Sequence, residues 1–153
     1  MKKVMMVWMM VLVIGSGVLI AQTQSDSASL ILSGVVGANV SITIEGTGNE
    51  GLNLQLPQSN VLVGTATEVA NVPYNVSAFT TNGFALTFDS ENAISYTVSY
   101  DGQTVSQNGD NIFGSPQSTT SGRNRSIRIS YTDVSGRTEG MYSDEITFTI
   151  SAE

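Results

Sequence analysis

The sequence predicts an all-β domain, a sandwich or barrel of short strands. After residue 21, no segment repeats apolar residues at helical spacing, whereas apolar and polar residues alternate repeatedly between Gly, Asn and Asp. Ser, Thr, Asn, Gln and Gly fill most polar positions, which suits solvent-facing strands. Many short alternating segments separated by turn residues are typical of β-sandwiches and β-barrels.

The chain begins with the layout of a secretory signal peptide. Met1-Lys2-Lys3 is followed by an apolar run from Val4 to Ala21. We therefore predict that residues 1–21 are a signal peptide and that residues 22–153 form one exported domain, located between the periplasm and the cell surface or outside the cell. The run is longer than the usual apolar region of ~7–15 residues, which leaves an uncleaved membrane anchor as the alternative.

The charge of the chain excludes two classes of partner. Both lysines lie in the predicted signal segment, so residues 22–153 carry four arginines against 13 acidic residues, a formal net charge of −9. Such a surface repels nucleic-acid phosphates and anionic lipids. We expect no nucleic-acid partner, and membrane contact only through the signal segment. With no cysteine, the domain must be stable without disulfides.

The alternating segments predict the strands in order. The first runs from Ala28 to Ile44 and would span about 55 Å at ~3.3 Å per residue, so we expect a bend at Gly34 or Gly37. Two turns, Asn82-Gly83 and Asp101-Gly102, are strong hairpin signals. The other predicted strands are Leu52–Leu56, Val61–Asn71, Tyr74–Thr80, Phe84–Asp89, Ala93–Tyr100, Arg125–Thr132 and Met141–Ile150.

The residue types needed for ordinary catalysis are missing. The sequence has no His and no Cys, and no Lys after the signal segment. These absences exclude Ser-His-Asp triads, Cys nucleophiles, Ser-Lys dyads and His-ligated zinc sites. The adjacent Asp144 and Glu145 would point to opposite faces of a strand and could not flank one substrate bond. We therefore predict no enzyme, no cofactor and no metal.

Two groups of oxygen-bearing side chains are weak candidates for Ca²⁺ ligands, and we interpret both as solvated turns. The groups are Asp89, Glu91 and Asn92, and then Asp101, Asn108, Asp110 and Asn111.

The arginines are concentrated in one stretch. Ile127, Ile129 and Tyr131 occupy alternate positions of the predicted strand, so their side chains should point to the buried face. The side chain of Arg128, which lies between them, should therefore face solvent. We expect Arg123 and Arg125 to lie at the loop end of the same strand. A patch for an acidic partner is the alternative to simple surface counter-charges.

The last predicted strand carries the most specific motif. Residues 140–150 read GMYSDEITFTI and resemble the G-x-Y-x-D-x-V-x-V-x-V ending of the spore coat protein U domain, a family of secreted pilin-type subunits. The short Leu52-Asn53-Leu54 segment and Asn71-Val72-Pro73-Tyr74, continuing as Asn75-Val76-Ser77, are also similar to that family. Family members often carry a cysteine pair, which this sequence lacks.

The resemblance implies an immunoglobulin-like antiparallel β-sandwich of about seven to eight strands that lacks its last strand. A periplasmic chaperone, and then the N-terminal arm of the next subunit, would fill the gap by strand addition. In this chain the arm would be residues 22–34, inserting Ala28, Leu30 and Leu32. The core face and acceptor groove of the last strand would comprise Tyr142, Ile146, Phe148 and Ile150. The hydroxyl of Tyr142 would pin the preceding turn, as in a tyrosine corner.

Two functions remain open from the sequence. The first is a non-enzymatic structural subunit of a bacterial pilus or coat, whose partners are copies of itself or related subunits and a periplasmic chaperone. The alternative is a complete, monomeric β-sandwich that serves as an adhesin or glycan-binding envelope protein. In the first case the arm is donated to a neighbour, and in the second it is the first strand of its own sheet.

The predicted cleavage after Ala21 is directly measurable. We expect the protein recovered from the cell envelope to have the intact mass of residues 22–153, with Gln22 at its N-terminus. The mass of the full chain would instead show that the apolar run is retained as an anchor.

Overall fold

The computed structural model describes residues 29–89, 92–105, 109–132, 134 and 136–153. The predicted signal segment and Ala28 lie outside the described residues. Val36–Glu153 form one compact unit, and a separate unit precedes it. In the described part of that first unit, residues 29–35, no regular secondary structure is present and the large apolar side chains are exposed. No helix that could cross a bilayer occurs within the described ranges.

The described residues form strands and contain no helix, and every paired strand is antiparallel. This confirms the predicted all-β, antiparallel class. The eight strands are β1 (Val40–Gly46), β2 (Gln58–Ala70), β3 (Tyr74–Thr80), β4 (Ala85–Thr87), β5 (Ala93–Tyr100), β6 (Gln103–Thr104), β7 (Thr120–Tyr131) and β8 (Ile146–Ala152).

The strands belong to two sheets. The larger sheet has the order β1-β2-β7-β5-β4, and β6 also pairs with β5. The smaller sheet consists of β3 and β8, with Tyr74 opposite Ala152 at one end and Thr80 opposite Ile146 at the other. Long-range pairing of β2 with β7 and of β3 with β8 therefore holds together parts of the chain that are distant in sequence.

Both sheets contribute to a single buried cluster, because alternation directs every second side chain of a strand to the same face. In β7 and β8 the buried apolar side chains fall on the parity that the sequence pattern indicated. The buried hydrophobic residues are Ala66, Ala70, Tyr74, Val76, Ala78, Phe84, Leu86, Ile94, Tyr96, Val98, Tyr100, Val105, Ile127, Ile129, Tyr131 and Phe148.

The two predicted hairpins have different outcomes. Asp101-Gly102 joins β5 to β6 with positive φ at both residues, 50° and 84°, as a tight two-residue turn requires. The prediction at Asn82-Gly83 is wrong, because β3 pairs with β8 and not with β4. That turn carries the chain from the smaller to the larger sheet, and the positive φ values fall on Gly83 (67°) and Phe84 (61°).

Most predicted strands differ from the structure in their bounds. The last strand begins at Ile146 and not at Met141, and β7 begins at Thr120, five residues before the predicted start. Two predicted strands differ more, for local reasons. Leu52–Leu56 forms turns, since the amide of Gln55 donates to the side chain of Asn53 and the Asn53 carbonyl accepts from the Tyr131 hydroxyl. The alternation from Ala28 to Ile44 yields a strand only from Val40 onward. The predicted bounds of β3 and β5 are confirmed.

Phe148 is the buried residue of β8, 9% exposed, and its ring lies 5.1 Å from that of Tyr100 across the core. We expect Phe148→Ala to lower the free energy of unfolding by ~3–5 kcal/mol, because it removes a buried ring and leaves a cavity. Thr149→Ala, at the exposed neighbouring position, should change it by under ~0.5 kcal/mol. Urea titration measures both, and a loss under about 1 kcal/mol for Phe148→Ala would contradict its place in the core.

Candidate functional site

Two features could carry function: a cluster of buried charges and an apolar cleft. The first, which we call the Glu68 cluster, comprises Glu68, Arg125, Tyr74 and Tyr100. Glu68 in β2 is 0% exposed and Arg125 in β7 is 8% exposed. Both lie on the inward parity of their strands. Charged side chains are rarely buried unless they are paired. The hydrogen-bond partners of Glu68 and Arg125 therefore determine whether either charge is available to a ligand.

The carboxylate of Glu68 accepts three hydrogen bonds. The Tyr100 hydroxyl donates to Oε1 at 2.6 Å. The Tyr74 hydroxyl donates to Oε2 at 2.6 Å, and Nε of Arg125 donates to the same oxygen at 3.2 Å. Burial and the neighbouring Glu68 carboxylate raise the pKa of both phenols. Tyr74 and Tyr100 therefore remain protonated donors well above neutral pH.

Arg125 extends the cluster to two loops. Its guanidinium donates to Asp101 at 2.5 Å and to Gln117 at 3.0 Å, and it lies 4.5 Å from the centre of the Phe113 ring. Burial opposes its charge, but the hydrogen bond to Asp101 and the charge of Glu68 outweigh this effect and raise the pKa of Arg125. Arg125 is thus a permanent cation that fixes the turn after β5 and the loop before β7.

The predicted placement of Arg125 at the solvent-facing loop end is wrong. Arg125 shares the parity of Ile127 and Ile129 and therefore points inward. The sequence held a signal for this, since Glu68 also occupies the apolar parity of its strand, and two opposite charges at inward positions indicate a buried pair. Arg128 is half-buried, and its guanidinium donates to the carbonyl of Asn60 at 2.9 Å.

The Glu68 cluster is structural. Among the described residues, no buried side-chain polar atom lacks a hydrogen-bond partner. Glu68 and Arg125 line neither the cavity beside Phe148 nor the one beside Tyr131. Glu68 and Arg125 neutralise each other, and both side chains are shielded from solvent.

The second feature, which we call the cleft, is an apolar cavity of about 380 Å³. Strand β1 and the loop after it line one side, and β8 lines the other. Its floor comes from β2, β4, β5 and β7, and its two acidic residues lie near the end of β1 and the start of β8. The lining residues are Ile44, Gly46, Glu50, Leu52, Val63, Gly64, Leu86, Tyr96, Ile127, Ile129, Asp144, Ile146 and Phe148.

The cleft is flanked by strand edges that are free among the described strands. There, β8 pairs only with β3, and β1 pairs only with β2. Backbone groups on an unpaired edge can accept a further strand. The cleft therefore combines an apolar lining with two edges that can form a hydrogen-bond ladder.

The four residues predicted for the groove divide into two pairs. Ile146 and Phe148 line the cleft. Ile150 is half-buried against the core but does not line the cleft. Tyr142, also half-buried, donates its hydroxyl to the carbonyl of Thr138 at 2.8 Å, which confirms that it pins the turn before β8. Tyr142 does not line the cleft, and its ring packs against Phe88, 5.8 Å between centres.

The predicted arm is described only in part. Leu30 and Leu32 are 83% and 84% exposed and lie outside any strand, while Ala28 lies outside the described residues. Within residues 29–36 the exposed apolar side chains also include Ile31, Val35 and Val36.

The turns considered as cation sites hold no cluster of ligands in the part of the chain that the structure describes. The carboxylate of Asp89 binds the amide side chain of Asn92, and that of Asp101 pairs with Arg125. Asp144 accepts from the Tyr96 hydroxyl at 2.7 Å and from the amide of Asn82 at 2.9 Å. Glu91 and Asn108 lie outside the described residues.

Comparison with protein-family models finds no match to this chain, and comparison with curated proteins finds none either.

The buried ion pair predicts an asymmetric response to mutation. Arg125→Met should destabilise the fold by ~3–5 kcal/mol, because it leaves the Glu68 carboxylate buried without its cation. Arg128→Met, which removes a half-buried cation, should cost under ~1 kcal/mol. The double variant Glu68→Gln/Arg125→Met should recover part of the loss. Urea unfolding measures all three, and equal losses for the two arginines would contradict the role of Arg125.

Proposed function

We propose that this protein is an exported, non-enzymatic subunit of a bacterial surface pilus or coat that assembles by strand donation. Its two sheets form an immunoglobulin-like β-sandwich that lacks one strand. Residues 22–34 of another copy, which we call the arm, insert into the cleft beside β8. The observation that carries the proposal is the apolar cleft next to an unpaired edge of β8.

The first support is the backbone. An extended segment laid along β8 gains main-chain hydrogen bonds from the strand edge, independently of its side chains. Left open, the same edge favours unspecific pairing with other chains. A subunit of this kind would depend on a periplasmic chaperone that covers the edge until assembly.

The second support is the match of side chains. An extended arm would present Leu30 and Leu32 on one face, and both are exposed in the free chain. The facing side of the cleft offers apolar residues such as Ile44, Ile146 and Phe148. Burial of each leucine could contribute about 1.5–3 kcal/mol. The resemblance of residues 140–150 to the ending of secreted pilin-type subunits agrees with this assignment.

Assembly can be tested on the two faces of the arm. Leu30→Asp and Leu32→Asp should abolish polymers, because a carboxylate cannot enter the apolar cleft. Ile31→Asp is the matched control: it adds the same charge to the neighbouring exposed residue, which faces away from the cleft in an extended arm, and it should still polymerise. The variants are expressed as full-length chains, and the exported protein is examined by sedimentation velocity, with urea unfolding to verify the fold.

A mixing experiment tests the cleft itself. Ile44 lines the cleft and is 45% exposed, so Ile44→Asp should block the cleft and leave the arm intact. A subunit with Leu30→Asp/Leu32→Asp has the reverse defect. Mixed together, the two should form one-to-one dimers and nothing larger. A wild-type protein that is a stable monomer, or arm variants that still polymerise, would overturn the proposal and favour a monomeric adhesin.

A further inference from the structure

We propose that residues 109–117, which we call the strap, close the second edge of the smaller sheet and so restrict strand addition to β8. The inference deepens the proposed function, on which it rests, by assigning what limits each subunit to one accepting edge. The smaller sheet has two strands and hence two outer edges, one on β3 and one on β8. An unpaired edge of either strand could accept a strand from another chain. The cover of β3 therefore determines how many neighbours this sheet can take.

The strap contacts β3 through its backbone. The amide of Gln117 donates to the Tyr74 carbonyl at 2.7 Å, and the Tyr74 amide donates back to the Gln117 carbonyl at 3.1 Å. Further along β3, the amide of Ile112 donates to the Val76 carbonyl at 2.8 Å. Backbone hydrogen bonds of this kind are those that a third strand would make. The strap therefore occupies the edge at which another chain would pair.

Side-chain contacts fix both ends of the strap. Near its start, the side-chain amide of Asn111 donates to Oδ1 of Asn75 at 2.6 Å. At its end, the guanidinium of Arg125 donates to the side chain of Gln117 at 3.0 Å. Between these anchors, the same guanidinium lies 4.5 Å from the centre of the Phe113 ring. The Glu68 cluster thus holds the strap in place through Arg125.

The strap ends the sheet and does not extend it. Residues 111–114 turn, and the amide of Gly114 donates to the Asn111 carbonyl at 3.0 Å. Gly114 has a positive φ of 66°, which is incompatible with an extended strand. Pro116 has no amide hydrogen to offer to a further strand. The outer side of the strap is therefore a poor template for pairing, whereas the edge of β8 carries no paired cover among the described strands.

A covered edge on β3 determines the form of the assembly. A subunit that accepts one strand at β8 and donates one arm joins two neighbours and grows into a linear polymer. An open β3 would add a second accepting edge. Two copies could pair there edge to edge about a twofold axis, because antiparallel pairing of a strand with its own copy is symmetric. The strap suppresses such dimers, which would cross-link growing polymers.

The test loosens the strap in a full-length chain that cannot donate its arm. In the Leu30→Asp/Leu32→Asp background, Asn111→Ala/Gln117→Ala removes both side-chain anchors. The amide hydrogen of Tyr74 should then exchange with solvent about tenfold faster or more, because opening of the strap exposes it. The protein should also form dimers in sedimentation velocity. The Tyr74 amide should regain its protection from exchange as the protein concentration rises.

Ser115→Ala, which changes an exposed side chain of the strap, is the control and should stay monomeric in the same background. Gln117→Glu keeps an acceptor for Arg125 and should keep the strap closed. If urea unfolding shows that the double alanine variant does not fold, Asn111→Ala alone gives the smaller version of the test. Unchanged exchange at Tyr74 in a folded variant, or faster exchange without dimers, would overturn the role of the strap. Strand donation is tested separately by the polymers of the chain with an intact arm, so the two ideas can fail independently.

Discussion

The hydrogen bond between the Tyr74 hydroxyl and the Glu68 carboxylate connects the two sheets, and much of the interior is arranged around it. A buried carboxylate is tolerated only with full partners, so β2 can place Glu68 inward only if other strands supply donors. Tyr74 comes from the smaller sheet, while Tyr100 and Arg125 come from the larger one. In a chain without cysteine, this cluster fixes the relation of the sheets in the way that a disulfide does elsewhere.

The interior is closed around the Glu68 cluster and open at the cleft. Gly64 is four residues from Glu68 on β2, about 13 Å away along an extended strand. Protein interiors are close-packed and seldom retain large apolar voids. A 380 Å³ apolar opening in so small a domain therefore differs from an ordinary packing defect.

Alternation could predict the strands because side-chain direction in a strand depends only on parity. It placed Ile127 and Phe148 inward correctly, and it gave β3 and β5 their observed bounds. The pairing of the strands could not be predicted in the same way. The Asn82-Gly83 turn has hairpin chemistry, yet β3 pairs with β8, some 70 residues along the chain, because burial of both inner faces outweighs the preference of one turn.

The candidate site was less predictable than the fold. Arg125 departs from the usual exposure of arginine, because its inward position in β7 is matched by the buried carboxylate of Glu68. The cleft is lined by residues that strand pairing brings together from distant parts of the chain, which no local pattern contains. The part of the site that the sequence did indicate, Ile146 and Phe148, lies in a motif with strict alternation.

The proposed assembly requires the cleft and the strand edge together. Association of two chains costs an estimated 4–15 kcal/mol in lost translational and rotational freedom. Two leucines at about 1.5–3 kcal/mol each offset little more than the lower bound of that cost. Several backbone hydrogen bonds along β8, each contributing a net ~0.5–1.5 kcal/mol, would supply the remainder. An isolated apolar pocket would thus hold the arm weakly, whereas a pocket beside an unpaired strand can hold it firmly and in one register.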